Sequence, residues 1–179
     1  MARLIFIRHA ETDLAGTFCG HSDPELNERG RQQLSEVIEK LKGSQIQEVY
    51  TSDLRRAIQT AQPIAAHFGV ACQSRSALRE INFGRWEGLR WSEIEAREPD
   101  EARQWLREYP DRDFPQGERL QDFQARVLTE IRVHMEEKRD GAVAIVTHAG
   151  VIRTALTRIF GMTEERAWDC TSRYGSVQM

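Results

Sequence analysis

Leu4-Ile5-Phe6-Ile7-Arg8-His9-Ala10-Glu11-Thr12 is the stretch from which the rest of the chain is best read. Four apolar residues run straight into Arg-His and then into a polar loop containing Gly16 and Gly20. A short, uninterrupted apolar run with such flanks predicts a buried strand. In open α/β sheets ligands bind beyond the carboxyl ends of the strands, so Arg8 and His9 stand where a ligand would arrive. One such ending is ordinary. A second one, Ala142-Val143-Ala144-Ile145-Val146-Thr147 leading into His148-Ala149-Gly150, predicts two histidines meeting at one sheet edge.

Outward from these strands the pattern alternates. Asn27 is placed to cap a helix carrying Leu34, Val37, Ile38 and Leu41, ended by Gly43-Ser44. Gln47–Thr51 predicts a short strand. Ser52 or Asp53 then caps a helix with a stripe of Leu54, Ala57, Ile58, Ala61, Ala65 and Phe68, terminated by Gly69. Val70–Gln73 predicts another strand. From Ser76 to Gln116 periodicity weakens, and Trp86, Trp91 and Trp105 fall there, with short helices predicted over Ser92–Arg97 and Glu101–Glu108. Such excursions in compact domains often form lids or binding loops. After Gly117 a long helix carries Leu120, Phe123, Val127, Ile131 and Met135 and ends before Gly141. A helix with Val151, Ile152, Ala155, Leu156 and Ile159 follows the second strand and stops at Gly161. Thr163 caps a short turn over Glu164–Ala167, and a last strand is predicted within Cys170–Met179, a reading that allows a longer native C-terminus. Strands alternating with helices predict an α/β fold, a mostly parallel sheet covered on both faces. No repeat or boundary interrupts residues 1–179, which read as one domain with an excursion at about 76–117 forming part of a substrate pocket.

Composition narrows the functional classes. Of 179 residues 30% are charged, mixed in sign, with a net charge of −3, so no basic field recruits nucleic acid. Cys19, Cys72 and Cys170 are odd in number and widely spaced, against both a disulfide framework and a zinc ribbon. No signal peptide and no membrane-crossing run is apparent, which leads to the expectation of a cytoplasmic protein.

Arg8, His9, Arg55 and His148 all fall at strand ends or helix starts. Arg55 lies in a first helical turn, where backbone N–H groups and the macrodipole also favour an anion, although Arg56 is its equal by composition. Guanidinium groups suit phosphate because their planar fork donates paired hydrogen bonds. Two arginines and two imidazoles about one point describe a site for a phosphate monoester. Zinc held by His9, His21, His148 and Asp53 is the rival reading, but no HxH or HExxH spacing supports it and flanking arginines would repel a cation. Neither metal nor cofactor is expected. Phosphoryl transfer needs a nucleophile, which a neutral imidazole can be, and an acid for the leaving oxygen. Glu11, Glu80 and Glu87 are the rival carboxylates, and spacing does not choose among them.

Taken together, Arg8-His9-Ala10-Glu11-Thr12, Ser52-Asp53-Leu54-Arg55-Arg56-Ala57, Leu78-Arg79-Glu80-Ile81-Asn82-Phe83-Gly84-Arg85-Trp86-Glu87-Gly88 and Thr147-His148-Ala149-Gly150 resemble the histidine phosphatase superfamily, the phosphoglycerate-mutase-like clan. The resemblance spans nearly the whole chain in the family's order. It implies a three-layer α/β/α sandwich and metal-free chemistry. By position His9 matches the phosphorylated nucleophile, Arg8, Arg55 and His148 the phosphoryl clamp, and Glu80 the proton donor. Thr12, Cys19, Gly20 and Ala149 fall where the substrate pocket is lined. Three departures stand out: Ala10 replaces a customary Gly, Ala15 replaces an Asn that commonly contacts phosphate, and the tail is short for the last strand and its pocket-edge residues.

Within the family, Phe83-Gly84-Arg85-Trp86-Glu87-Gly88 and Phe114-Pro115-Gln116-Gly117-Glu118 resemble the phosphatase branch, α-ribazole phosphatases in particular. The implied partner is a small phosphorylated metabolite, with α-ribazole 5′-phosphate as a candidate, no nucleic acid and no membrane; a homodimer is allowed. A cofactor-dependent phosphoglycerate mutase and a non-catalytic phosphate-binding module are the alternatives. The three tryptophans either stack on a leaving group or pack the small helices.

Overall fold

The computed structural model describes residues 3–109, 112–136 and 141–178. Five strands form one sheet, ordered β3-β2-β4-β1-β5. β1 is Arg3–Arg8, β2 Ile46–Thr51, β3 Cys72–Ser74, β4 Ala142–Thr147 and β5 Val177–Gln178. The first four are parallel, and β5 runs antiparallel against β1 at the edge. Among the described residues seven α-helices surround them: α1 (Glu28–Lys40), α2 (Arg55–Phe68), α3 (Trp91–Arg97), α4 (Pro99–Glu108), α5 (Leu120–Glu136), α6 (Ala149–Arg158) and α7 (Glu164–Thr171).

Alternation along β1 distributes its side chains to two cores, as the two-residue period of a strand requires. Leu4 and Phe6 join α5, α6 and the excursion on one face. Ile5 and Ile7 pack with Val37, Leu41, Ala61 and Ile64 of α1 and α2 on the other. β4 is buried along its whole length, as the central strand of a sheet covered on both faces must be. Its register pairs Arg8 with Thr147, which brings His9 and His148 out side by side.

Several boundaries differ from the sequence reading. Strand β3 begins at Cys72 rather than Val70, because the Val70 N–H still closes α2 on the Ala65 carbonyl (3.0 Å) while Gly69 turns the chain at φ 66°. Helix α2 is capped neither by Ser52 nor by Asp53 at its first residue: Leu54 is the N-cap, and Asp23 reaches across to accept the Arg55 N–H at 2.6 Å. The short turn at Glu164–Ala167 is a full helix to Thr171, and only Val177–Gln178 pairs as a strand. Gly175, at φ 65°, turns the chain between them. The expected end of α5 before Gly141 and the terminal Met179 lie outside the described residues.

The excursion is held by aromatic packing. Trp86 is fully buried and meets Trp91, Trp105, Phe114 and Phe18 with ring centroids 5.6–6.0 Å apart. Phe18 comes from the loop after β1, so one aromatic cluster ties that loop to the excursion.

Candidate active site

Beyond the carboxyl ends of β1 and β4 lies a cavity of about 370 Å³. His9 and His148 are both buried, with ring centroids 5.1 Å apart. His9 Nδ1 lies 2.7 Å from the Ala10 carbonyl, which can only accept, so Nδ1 carries the proton and Nε2 is left with its lone pair. The Arg56 Nε–H points at that atom from 3.3 Å. Burial, reinforced by Arg56 and Arg8, holds the His9 pKa well below the usual imidazole value despite the Ala10 hydrogen bond. Burial and then Arg56 do the same to His148, neither of whose ring nitrogens has a partner among the described residues. Two imidazoles held toward the neutral form therefore lie side by side; His9 and Arg8 border the cavity, whereas His148 and Arg56 are buried beside His9 and do not line it.

The structure places Arg56, and not the expected Arg55, beside His9. Arg55 is exposed and turns outward to Asp23 and Glu25. Arg56 is fully buried beside His9. Successive residues of a helix point about 100° apart, and the buried face of α2 carries Arg56, Thr60 and Ile64, whereas Arg55 is in phase with Gln59 and Gln62. That phase was present in the sequence. Thr60 adds a second tie: its hydroxyl accepts the Ala10 N–H (3.0 Å) and donates to the Arg56 carbonyl (2.8 Å).

Arg8 donates to the Thr171 and Ser172 carbonyls at 2.6 and 3.1 Å, and its guanidinium stacks 3.8 Å from the Tyr174 ring centre. Tyr174 also lies 5.5 Å from the His9 ring and lines the cavity; nothing in the sequence singled it out. Glu80 is buried and lines the same cavity, its two oxygens accepting the N–H groups of Ile81 (3.1 Å) and Gly150 (2.9 Å). A Cβ at position 150 would collide with the Glu80 carboxylate, so Gly150 is what lets α6 approach it. From α5, Arg126 fixes the Glu80 segment by donating to the Ala77, Arg79 and Glu80 carbonyls while pairing with Glu118.

The rival carboxylates are occupied elsewhere. Glu11 accepts from Asn27 and pairs with Arg29. Glu87 accepts hydrogen bonds from the Gly20, His21, Ser22 and Phe83 N–H groups and the Ser22 hydroxyl, at 2.7–3.2 Å. Burial pushes its pKa up, but hydrogen bonds led by Ser22 outweigh that and leave it below the usual carboxylate range. Two peptide groups join it to Arg56. The Cys19 and Gly20 carbonyls accept from Arg56 at 3.2 and 2.7 Å, while the N–H groups of those same peptide units, on Gly20 and His21, donate to Glu87. Charge at one end and counter-charge at the other are thus bridged by amide dipoles.

Of the expected lining residues, Thr12, Cys19 and Ala149 border the cavity. Gly20 does not; it sits where a Cβ would strike the Ile81 carbonyl oxygen, and its own carbonyl serves Arg56. Ala10 is buried with a backbone that any L-residue adopts, so Ala fits in place of Gly. Ala15 is not on the cavity wall, which Gly16 and Thr17 form instead. The zinc set is not assembled: Asp53 is clamped by Arg79 (2.7 Å to each oxygen) and the His21 ring bonds the Glu80 carbonyl. Trp91 lines the main cavity and Trp105 a smaller annex, whereas Trp86 is wholly core.

A histidine with a freed Nε2, an arginine on that nitrogen and a buried carboxylate bordering the same cavity as the histidine are brought together on a phosphoglycerate-mutase-like fold. The chain belongs to the histidine phosphatase superfamily, branch 1, whose family model matches residues 4–179. It is 36% identical over 162 residues to phosphoglycerate mutase-like protein 4 of Arabidopsis thaliana, covering 88% of this chain and 70% of that one. It is 29% identical to phosphoserine phosphatase 1 of Hydrogenobacter thermophilus, over 94% of this chain and 81% of the relative. Among solved structures, the α-ribazole phosphatase of Shigella flexneri superposes with a TM-score of 0.85 at 27% identity, covering 98% of this chain and 88% of that one.

Proposed function

We propose that the protein hydrolyses phosphomonoesters of small metabolites through a phosphorylated His9. The observation that carries this is the 2.7 Å contact of His9 Nδ1 with the Ala10 carbonyl, which assigns the proton to Nδ1 and leaves Nε2 free beside Arg56. In the first step Nε2 bonds to phosphorus as the phosphorus–oxygen bond to the leaving group breaks, and Glu80 delivers a proton to the departing oxygen. Arg8, Arg56 and His148 receive the phosphoryl oxygens, whose charge they balance. In the second step Glu80, now a carboxylate, takes a proton from water as the water oxygen bonds to phosphorus. The phosphorus–nitrogen bond breaks and neutral His9 is restored. No step is routed through a metal.

The phosphatase names among the relatives support hydrolysis over isomerisation. The resemblance to α-ribazole phosphatases makes α-ribazole 5′-phosphate one candidate substrate and phosphoserine another. The deciding measurement is hydrolysis of p-nitrophenyl phosphate in EDTA by wild type and His9→Ala, with acid-labile phosphate on the protein as the second readout. EDTA-resistant turnover that disappears in the variant is expected. Undiminished turnover by His9→Ala would overturn the reading, and isomerisation of 3-phosphoglycerate without release of phosphate would favour the mutase.

A further inference from the structure

His21 touches both halves of the site. Its backbone belongs to the bridge between Arg56 and Glu87: the carbonyl of the peptide it shares with Gly20 accepts from Arg56 at 2.7 Å, and its own N–H donates to Glu87 at 2.8 Å. Its side chain leaves that bridge and reaches the Glu80 carbonyl, with Nε2 at 3.1 Å. A carbonyl oxygen can only accept, so Nε2 carries the proton. The Arg56 that holds this backbone also points at His9 Nε2, from 3.3 Å. One residue thus joins the nucleophile's arginine to the carboxylate assigned as acid.

What the His21 ring grips is the peptide that aims the carboxylate. The Glu80 carbonyl and the Ile81 N–H belong to one planar unit, so fixing the oxygen fixes the N–H. That N–H donates to Glu80's own Oε1 at 3.1 Å, while the Gly150 N–H holds Oε2 at 2.9 Å. Turning the peptide would withdraw the first of these and free the carboxyl to rotate. Arg126 also donates to the Glu80 carbonyl, at 3.0 Å. It comes from α5, however, and its other bonds go to the Ala77 and Arg79 carbonyls and to Glu118, none of them in the loop after β1. His21 is what relates that carbonyl to the loop, which lies so close that a Cβ at position 20 would stand 2.1 Å from the Ile81 oxygen. We infer that His21 is a positioning residue for the acid, setting where Glu80 stands relative to an ester bound at His9. The inference rests on the hydrolase reading of this site and on Glu80 as its acid.

The test reads leaving-group dependence. Phenyl phosphate needs a proton for its departing phenolate near neutral pH and p-nitrophenyl phosphate does not. The ratio of kcat/KM for the first ester to that for the second therefore reports on the acid. His21→Ala should lower that ratio roughly fivefold, the worth of one hydrogen bond. Gln places an amide N–H where the imidazole Nε2–H lies, and Asn stops short of it, so His21→Gln should restore the ratio and His21→Asn should not. In a Glu80→Gln background His21→Ala should lower the ratio no further, because the group it positions is gone. An equal loss on both esters, or the same fall in ratio in both backgrounds, would mean that the ring merely packs the loop and would overturn the inference. Should His21→Ala not fold, equal ratios in His21→Gln and His21→Asn overturn it instead. Failure of the hydrolase reading shows separately, as wild-type protein inert toward both esters, and failure of Glu80 as acid shows as an unchanged ratio in Glu80→Gln.

Discussion

The Arg56 Nε stands 3.3 Å from His9 Nε2, on the nitrogen that the Ala10 carbonyl leaves unprotonated. This places a fixed positive charge beside the nitrogen proposed to receive the phosphoryl group. It also separates two neighbouring arginines that look interchangeable in the sequence. Arg56→Ala is expected to lower kcat/KM by about 10²–10³, the scale for removing one preorganised donor. Arg55→Ala should change it by less than about threefold, since its ion pairs are at the surface. Steady-state kinetics on p-nitrophenyl phosphate checks both, and the reverse ranking would refute the assignment.

Glu80 as acid makes its replacement sensitive to the leaving group. Glu80→Gln should slow an alkyl phosphate by roughly 10²–10⁴ and p-nitrophenyl phosphate far less, because p-nitrophenolate departs without protonation. Parallel kcat measurements on the two esters give the answer. Equal slowing would mean that Glu80 positions rather than protonates.

Glu87 touches neither histidine, yet removing it should be felt at Arg56. Glu87→Ala strips the acceptor from four N–H groups and should lower stability by about 2–4 kcal/mol, read from urea denaturation. Inorganic phosphate affinity should fall with it, and Glu87→Gln, which keeps one acceptor oxygen, should recover part of both. Lost stability with unaltered phosphate affinity would sever the proposed link between the two charges.

The two buried imidazoles also set a pH dependence. Both have pKa values depressed well below 6.5 in the folded chain, so the unfolded state binds more protons once the pH drops beneath that value. Stability should thus be full above about pH 6.5 and decline below it, with a slope of up to about 1.4 kcal/mol per pH unit for each histidine. Urea titrations at pH 7.5, 6 and 5 would show the decline. His148→Gln should flatten it, and an unchanged slope in that variant would exclude His148 as a contributor.

The sheet and its two histidines were legible because β1 and β4 announce themselves as apolar runs with polar endings. The helices were legible wherever a stripe and a terminating glycine coincided, as at Gly69. Arg56 was legible in principle, since it shares the phase of Thr60 and Ile64, but composition alone treats it as the twin of Arg55. Glu87 could be named only as a rival acid and Tyr174 not at all, because their partners are N–H groups and side chains brought in from distant segments by the fold. Of the tryptophans expected either to stack on a leaving group or to pack, all three pack in one aromatic cluster, and Trp91 and Trp105 also border cavities.

The loop that grips Arg56 does so through the Cys19, Gly20 and Ser22 carbonyls, and Glu87 grips the loop largely through its N–H groups. Backbone atoms are the same whatever residue carries them. Positions such as Thr17 and Cys19 can therefore exchange side chains, and so reshape the cavity they border, while the arginine beside His9 stays where it is. Phe18, held in the aromatic cluster, Gly20, hemmed in by the Ile81 carbonyl, and Gly16, at φ 81°, are denied that freedom. Specificity can then drift without disturbing the arginine, and a library randomised at 17 and 19 should yield altered substrate preferences at far higher frequency than dead enzymes.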